Sequence, residues 1–141
     1  MRRIYPPDVF PGAWAKLSSL ADLGLLVSIE EVSEELKCQE DDIVCEWARE
    51  HSAIFHALDG PVQKIAREIL STHSNLVDLK RHKSGADSFV VAHAILNKCT
   101  VVTEENPSGG TNKSKIPDVC RAYNVECIKL LEMLRRERLC L

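Results

Sequence analysis

The sequence has 141 residues, 45% of them apolar, and its 18 lysines and arginines against 21 aspartates and glutamates give a formal charge of −3. These values describe a single domain over residues 1–141 with enough chain to bury a core, and they exclude a disordered polypeptide and a broadly basic nucleic-acid-coating protein. The longest apolar stretch, residues 89–96, is interrupted by His93 and falls short of the roughly 18 residues of a membrane span; Met1-Arg2-Arg3 leads into Tyr5-Pro6-Pro7 and not into an apolar leader, so a cytoplasmic protein is expected.

The first predicted element is a helix over 11–23, with Trp14, Leu17, Leu20 and Ala21 on one stripe and Gly24 where a left-handed C-terminal cap is expected. A short buried strand is predicted over 25–27. Ser28 with Glu31 has capping-box spacing and opens a helix carrying Ile29, Val32 and Leu36. Asp41-Asp42 begins another helix, predicted to run to Leu58. Asp59-Gly60-Pro61 stops it and starts the next, in which Val62, Ile65, Ala66, Ile69 and Leu70 align.

A weaker strand is predicted over 76–79. Ser84 is placed to cap a helix that carries Asp87 in its first turn and Phe89, Val90, Ala94 and Ile95 further along, ending near Asn97. Thr100-Val101-Val102-Thr103 reads as a central strand, being β-branched throughout. Residues 106–112 read as a flexible loop. Pro117 opens a short helix to Tyr123, a last strand falls within 125–128, and a last helix covers 130–138. Strands alternating with helices predict an α/β fold with a parallel sheet sandwiched between helices.

Several catalytic layouts are absent. The chain has neither His-Glu-x-x-His nor Gly-x-Ser-x-Gly, and Lys113-Ser114 lacks the P-loop glycines. The histidines at 51, 56, 73, 82 and 93 show no ligand spacing, and the six cysteines (38, 45, 99, 120, 127 and 140) contain no Cys-x-x-Cys pair. They read as small buried hydrophobes in a reducing compartment.

What remains is a set of acids at element ends. A helical step of about 100° places Glu35 nearer the apolar sector than Glu30, Glu31 and Glu34, so it either faces inward at the edge of the core or belongs to a solvated face. Asp87 is either a partner of its own helix dipole or a metal ligand. Glu104 and Glu105 follow a strand whose carboxyl end, in open α/β sheets, borders the ligand crevice. Three converging carboxylates repel unless a divalent cation offsets their charge, which points to Mg²⁺ or Mn²⁺ and to phosphodiester hydrolysis.

At Val32-Ser33-Glu34-Glu35-Leu36, at Ala86-Asp87-Ser88-Phe89-Val90-Val91-Ala92-His93-Ala94 and at Val101-Val102-Thr103-Glu104-Glu105, the chain resembles the PIN-domain ribonucleases, the superfamily that includes the VapC-type toxins. Tyr5-Pro6-Pro7-Asp8-Val9-Phe10-Pro11-Gly12-Ala13-Trp14 and Lys115-Ile116-Pro117-Asp118-Val119-Cys120 support the likeness, which is closest to an uncharacterised prokaryotic PIN-like branch.

The resemblance implies a three-layer α/β/α sandwich that cuts single-stranded RNA, with Glu35, Asp87 and Glu105 as both metal ligands and catalytic residues around Mg²⁺ or Mn²⁺. It also implies that the family's first strand and its ligand aspartate are missing here, since Met1-Arg2-Arg3-Ile4 runs straight into the segment expected after that strand. The cations read as holding RNA are Lys80, Arg81 and Lys83 before the Asp87 helix and Lys113 and Lys115 after the loop; the alternative for each is a solvated surface charge. The partners implied are RNA, an antitoxin protein and a second copy of the chain. The alternative function is a catalytically inactive PIN-like module that binds RNA or protein.

Overall fold

The computed structural model describes residues 5–37, 42–73, 86–108 and 115–138. The chain divides into two compact units, one of Met1–Ala57 with Leu134–Leu141 and one of Leu58–Met133. The predicted strand over 76–79, the Ser84 cap and part of the loop over 106–112 lie outside the described residues.

In the first unit, helix α1 (Pro11–Asp22) buries Ala13, Trp14, Leu17 and Leu20, the stripe that the spacing predicts apart from Ala21, which is half-buried. Trp14 is edge-to-face with Trp47, their ring centroids 6.4 Å apart. Neither indole N–H is left without an acceptor: Trp14 donates to the Tyr5 carbonyl at 2.8 Å and Trp47 to the Ser18 hydroxyl at 2.9 Å. Gly24 takes φ +72°, and the carbonyls at the end of α1 are closed by the N–H groups of Gly24, Leu25 and Leu26.

That closure displaces the first strand. The Leu25 and Leu26 N–H groups both bond to the Leu20 carbonyl, so the segment expected as a strand belongs to the helix-ending turn, with Leu25 exposed. Strand β1 is Ser28–Ile29, and helix α2 (Glu30–Lys37) starts directly after it. Ser28 is therefore a strand residue and not an N-cap, which corrects the capping-box reading.

Helix α3 (Asp42–Glu50) is shorter than predicted; a 3₁₀ turn, Ser52–Ile54, follows it and leads into β2 (Phe55–His56). The apolar residues at 54, 55 and 58 fit a continuing helical period as well as a strand, which is why the sequence hides β2. β1 and β2 pair in parallel with Ser28 opposite Phe55 and Ile29 opposite His56.

The second unit opens with α4 (Gly60–Thr72), which starts where Asp59-Gly60-Pro61 predicts, and the Asp59 carboxylate accepts from the Val62 N–H at 2.9 Å. Val62, Ala66 and Ile69 form its buried stripe. Helix α5 (Ala86–Asn97) buries Ala86, Ser88, Val91, Ala92, His93 and Ala94, so most of its circumference is covered. It packs against α4, against β3 (Val101–Val102) and against α6 (Ile116–Ala122). The core joins Val62, Ala66, Ile69, Val91, Val101 and Val119.

Strand β4 (Cys127–Ile128) pairs in parallel with β3, and α7 (Leu130–Arg136) follows it. The Val101 N–H donates to the Glu126 carbonyl at 2.8 Å and the Thr103 N–H to that of Ile128 at 3.0 Å. Parallel neighbours need a crossover, and α6 supplies it, making β3–α6–β4 a βαβ unit. The fold is thus of the α/β class, helix-rich with short parallel strands. Among the described residues no helix is long and apolar enough to cross a membrane.

Candidate functional site

The chain turns sharply where β3 ends, and the turn is built from its own polar groups. Thr103 closes the ladder with its N–H while its hydroxyl oxygen accepts from the Glu105 N–H at 3.2 Å. Two successive acids then reach two different helices. Glu104 Oε1 accepts from the N–H of Leu130, the first residue of α7, at 3.1 Å. Glu105 Oε2 accepts from the N–H of Ile116, the first residue of α6, also at 3.1 Å. Each carboxylate satisfies a helix N–H that has no partner within its own helix.

Lys129, directly after β4, holds this turn from the neighbouring strand. Its Nζ donates to the Glu104 carbonyl, to the Glu105 carbonyl at 2.9 Å and to Asn106 Oδ1 at 2.9 Å. An ammonium has three N–H donors, and all of them are used here. Its charge stays beside the acids.

Asp118, in the first turn of α6, organises the far side of the loop. Its carboxylate accepts from the Lys115 N–H at 2.9 Å and from the Ser108 N–H at 3.1 and 3.2 Å. Burial alone pushes this carboxyl up, but the Lys115 and Ser108 donors and the charge of Arg121 outweigh it and hold the group below its ordinary value of 3.8. A carboxylate depressed on folding stabilises the native state above its unfolded pKa, and the contribution disappears as pH falls through the folded one. Urea melts of the wild type and Asp118→Asn are expected to differ most near neutrality and to converge below the ordinary carboxylate range; a gap independent of pH contradicts the assignment.

Beside the turn lies a crevice of about 400 Å³ lined by Thr103, Glu105, Arg121, Asn124, Cys127 and Lys129, among others. Cys120 is fully buried, and burial, with Cys127 close by, pushes its thiol up to about 12. Burial also raises Cys127. Both shifts favour the protonated thiol at neutral pH. Arg121 is exposed on α6, and its guanidinium makes no hydrogen bond among the described residues.

Of the residues singled out in the sequence, Asp87 and Glu105 lie in the second unit and Glu35 in the first. Glu105 is half-buried at the carboxyl end of β3 and on the crevice wall. Asp87 is half-buried in the first turn of α5. Glu35 is half-buried on α2, where Glu30 and Glu34 are exposed; Glu31, which the spacing turned toward solvent, is half-buried too. Among the described residues no three His, Cys, Asp or Glu side chains gather closely enough to hold a metal ion. Lys115 is exposed just before α6, while Lys80, Arg81, Lys83 and Lys113 lie outside the described residues.

Sequence reasoning passed over Lys129, Arg121, Asp118 and the capping role of Glu104. One signal was readable: a lysine directly after the last strand of a parallel sheet sits beside the carboxyl end of the neighbouring strand, where Glu104 and Glu105 are. No curated protein and no solved structure matches the chain. A family profile does, over residues 1–141, and the chain belongs to that family, DUF4411, a domain of unknown function.

Proposed function

We propose that the chain is a metal-dependent endoribonuclease of the PIN type, a three-layer α/β/α sandwich that hydrolyses phosphodiesters of single-stranded RNA in the cytoplasm with Mg²⁺ or Mn²⁺. An antitoxin protein is the partner this reading carries with it. The observation that supports it most is the position of Glu105, beyond the carboxyl end of a strand in a βαβ unit and on the wall of a crevice shared with Arg121. Ligands of open α/β sheets bind at that edge.

The donor chemistry suits a hard divalent ion, since Glu35, Asp87 and Glu105 offer only carboxylate oxygens. Glu105 commits Oε2 to the Ile116 N–H, whereas Oε1 makes no hydrogen bond among the described residues. When bound, such an ion supplies Lewis acidity against the charge that builds on the phosphodiester oxygens. The protein's part is to hold the acids. Lys129 fixes the Glu104 and Glu105 carbonyls, the Ile116 N–H fixes one carboxylate oxygen, and Asp87 sits in the first turn of α5.

Incubation of the purified chain with single-stranded RNA tests the reading. Cleavage is expected with Mn²⁺, to stop on chelation, and to fall at least about 100-fold in Asp87→Asn. Cleavage untouched by chelation or by that substitution contradicts it. RNA binding with no cleavage under any of these conditions replaces it with the non-catalytic module.

A further inference from the structure

We infer that Arg121 is a phosphate-binding residue of the crevice, taking one backbone phosphate of a single-stranded RNA that lies alongside Glu105. The inference rests on the nuclease reading for its ligand but concerns a residue which that reading does not require. The crevice wall carries two cations, Arg121 and Lys129. All three Lys129 N–H donors are already spent on the Glu104 and Glu105 carbonyls and on Asn106. A phosphate could recruit Lys129 only by dismantling the turn that carries Glu105.

Arg121 differs in each respect. Its guanidinium has five donors in a planar fork that matches two phosphate oxygens, and none is used in a hydrogen bond among the described residues. Its acidic neighbour one helical turn earlier, Asp118, has its carboxylate taken up by the Ser108 and Lys115 N–H groups. Asp118 therefore lends Arg121 a favourable charge without closing the fork. Thr103 and Asn124, on the same wall, add a hydroxyl and an amide suited to phosphate oxygens or a 2′-hydroxyl. Glu105 supplies the opposite charge nearby, so an anionic strand is drawn to the Arg121 side and kept off the carboxylate unless a cation screens it.

The test uses the full chain and a fluorescent single-stranded oligoribonucleotide, with binding read by anisotropy in EDTA across a salt series, so that neither cleavage nor metal enters. Losing one phosphate contact on a single strand lowers the slope of log K against log salt by about 0.7, or roughly fivefold in affinity at ~0.1 M salt. Arg121→Gln is expected to show that loss, Arg121→Lys to restore most of the slope, and Lys64→Gln, an exposed cation on α4, to leave it unchanged. A slope in Arg121→Gln equal to that of the wild type overturns the assignment, and so does a wild type that binds no RNA in EDTA. A circular-dichroism melt of each variant checks that the fold is intact. A lost slope without Mn²⁺-dependent cleavage upholds Arg121 and removes the nuclease; cleavage with an unchanged slope does the reverse.

Discussion

Glu105→Gln is expected to lower Mn²⁺-stimulated RNA cleavage at least about 100-fold while leaving the thermal midpoint almost where it stands. The two effects separate because the side chain caps α6 and, in the proposed nuclease, also binds the ion. Its oxygen accepts from the Ile116 N–H at 3.1 Å, and a glutamine oxygen can do the same. Its negative charge is what a divalent ion requires, and glutamine removes it. Glu105→Ala removes both. Ile116 is buried, so its N–H is left without its acceptor, and the variant is expected to lose a further ~1–3 kcal/mol of stability in urea melts. Equal cleavage by the wild type and Glu105→Gln would leave Glu105 with its capping role alone.

The second large effect belongs to the core that carries Asp87. Ile69 on α4 is completely buried, in the cluster that includes Val91 and Ala92 of α5. Removing the rest of its side chain costs the transfer free energy of the lost methylene and methyl groups and leaves a cavity that the packed helices refill only in part. Ile69→Ala is expected to lower stability by about 2–5 kcal/mol, whereas Lys64→Ala, exposed on the same helix, is expected to change it by less than about 0.5 kcal/mol. Urea denaturation measures both. A loss at Ile69 as small as that at Lys64 would mean that α4 does not pack on α5 as described.

How far the sequence could be read depended on whether a local signal had competitors. The start of α4 was legible because Asp59 is a capping side chain and Pro61 suits only a first helical turn. The end of α1 was legible because Gly24 is at home at φ +72°, where other residues are strained. β3 showed through Thr100-Val101-Val102-Thr103, a run that favours no helix. β2 was hidden because Ile54 and Phe55 fit a helical period extended from α3. β1 was misplaced by three residues because the leucines after Gly24 look like a strand, while their N–H groups are committed to Leu20.

The candidate site divides in the same way. Glu105 was visible as an acid just beyond a strand. The function of Lys129 was not, since it donates to groups more than twenty residues earlier, and only the parallel pairing of β3 with β4 brings them together. Arg121 was read past because a lone arginine on a short helix carries no pattern; its significance comes from the crevice and from the saturation of Lys129.

The proposed nuclease depends on a divalent ion held by carboxylates, for which Glu35, Asp87 and Glu105 are the candidates. Titration of Mn²⁺ into the purified chain, with free Mn²⁺ followed by electron paramagnetic resonance, tests it without RNA. Saturable binding is expected in the wild type, and weaker binding in each of Glu35→Gln, Asp87→Asn and Glu105→Gln. Saturation that is absent from the wild type, or identical in all four proteins, contradicts it.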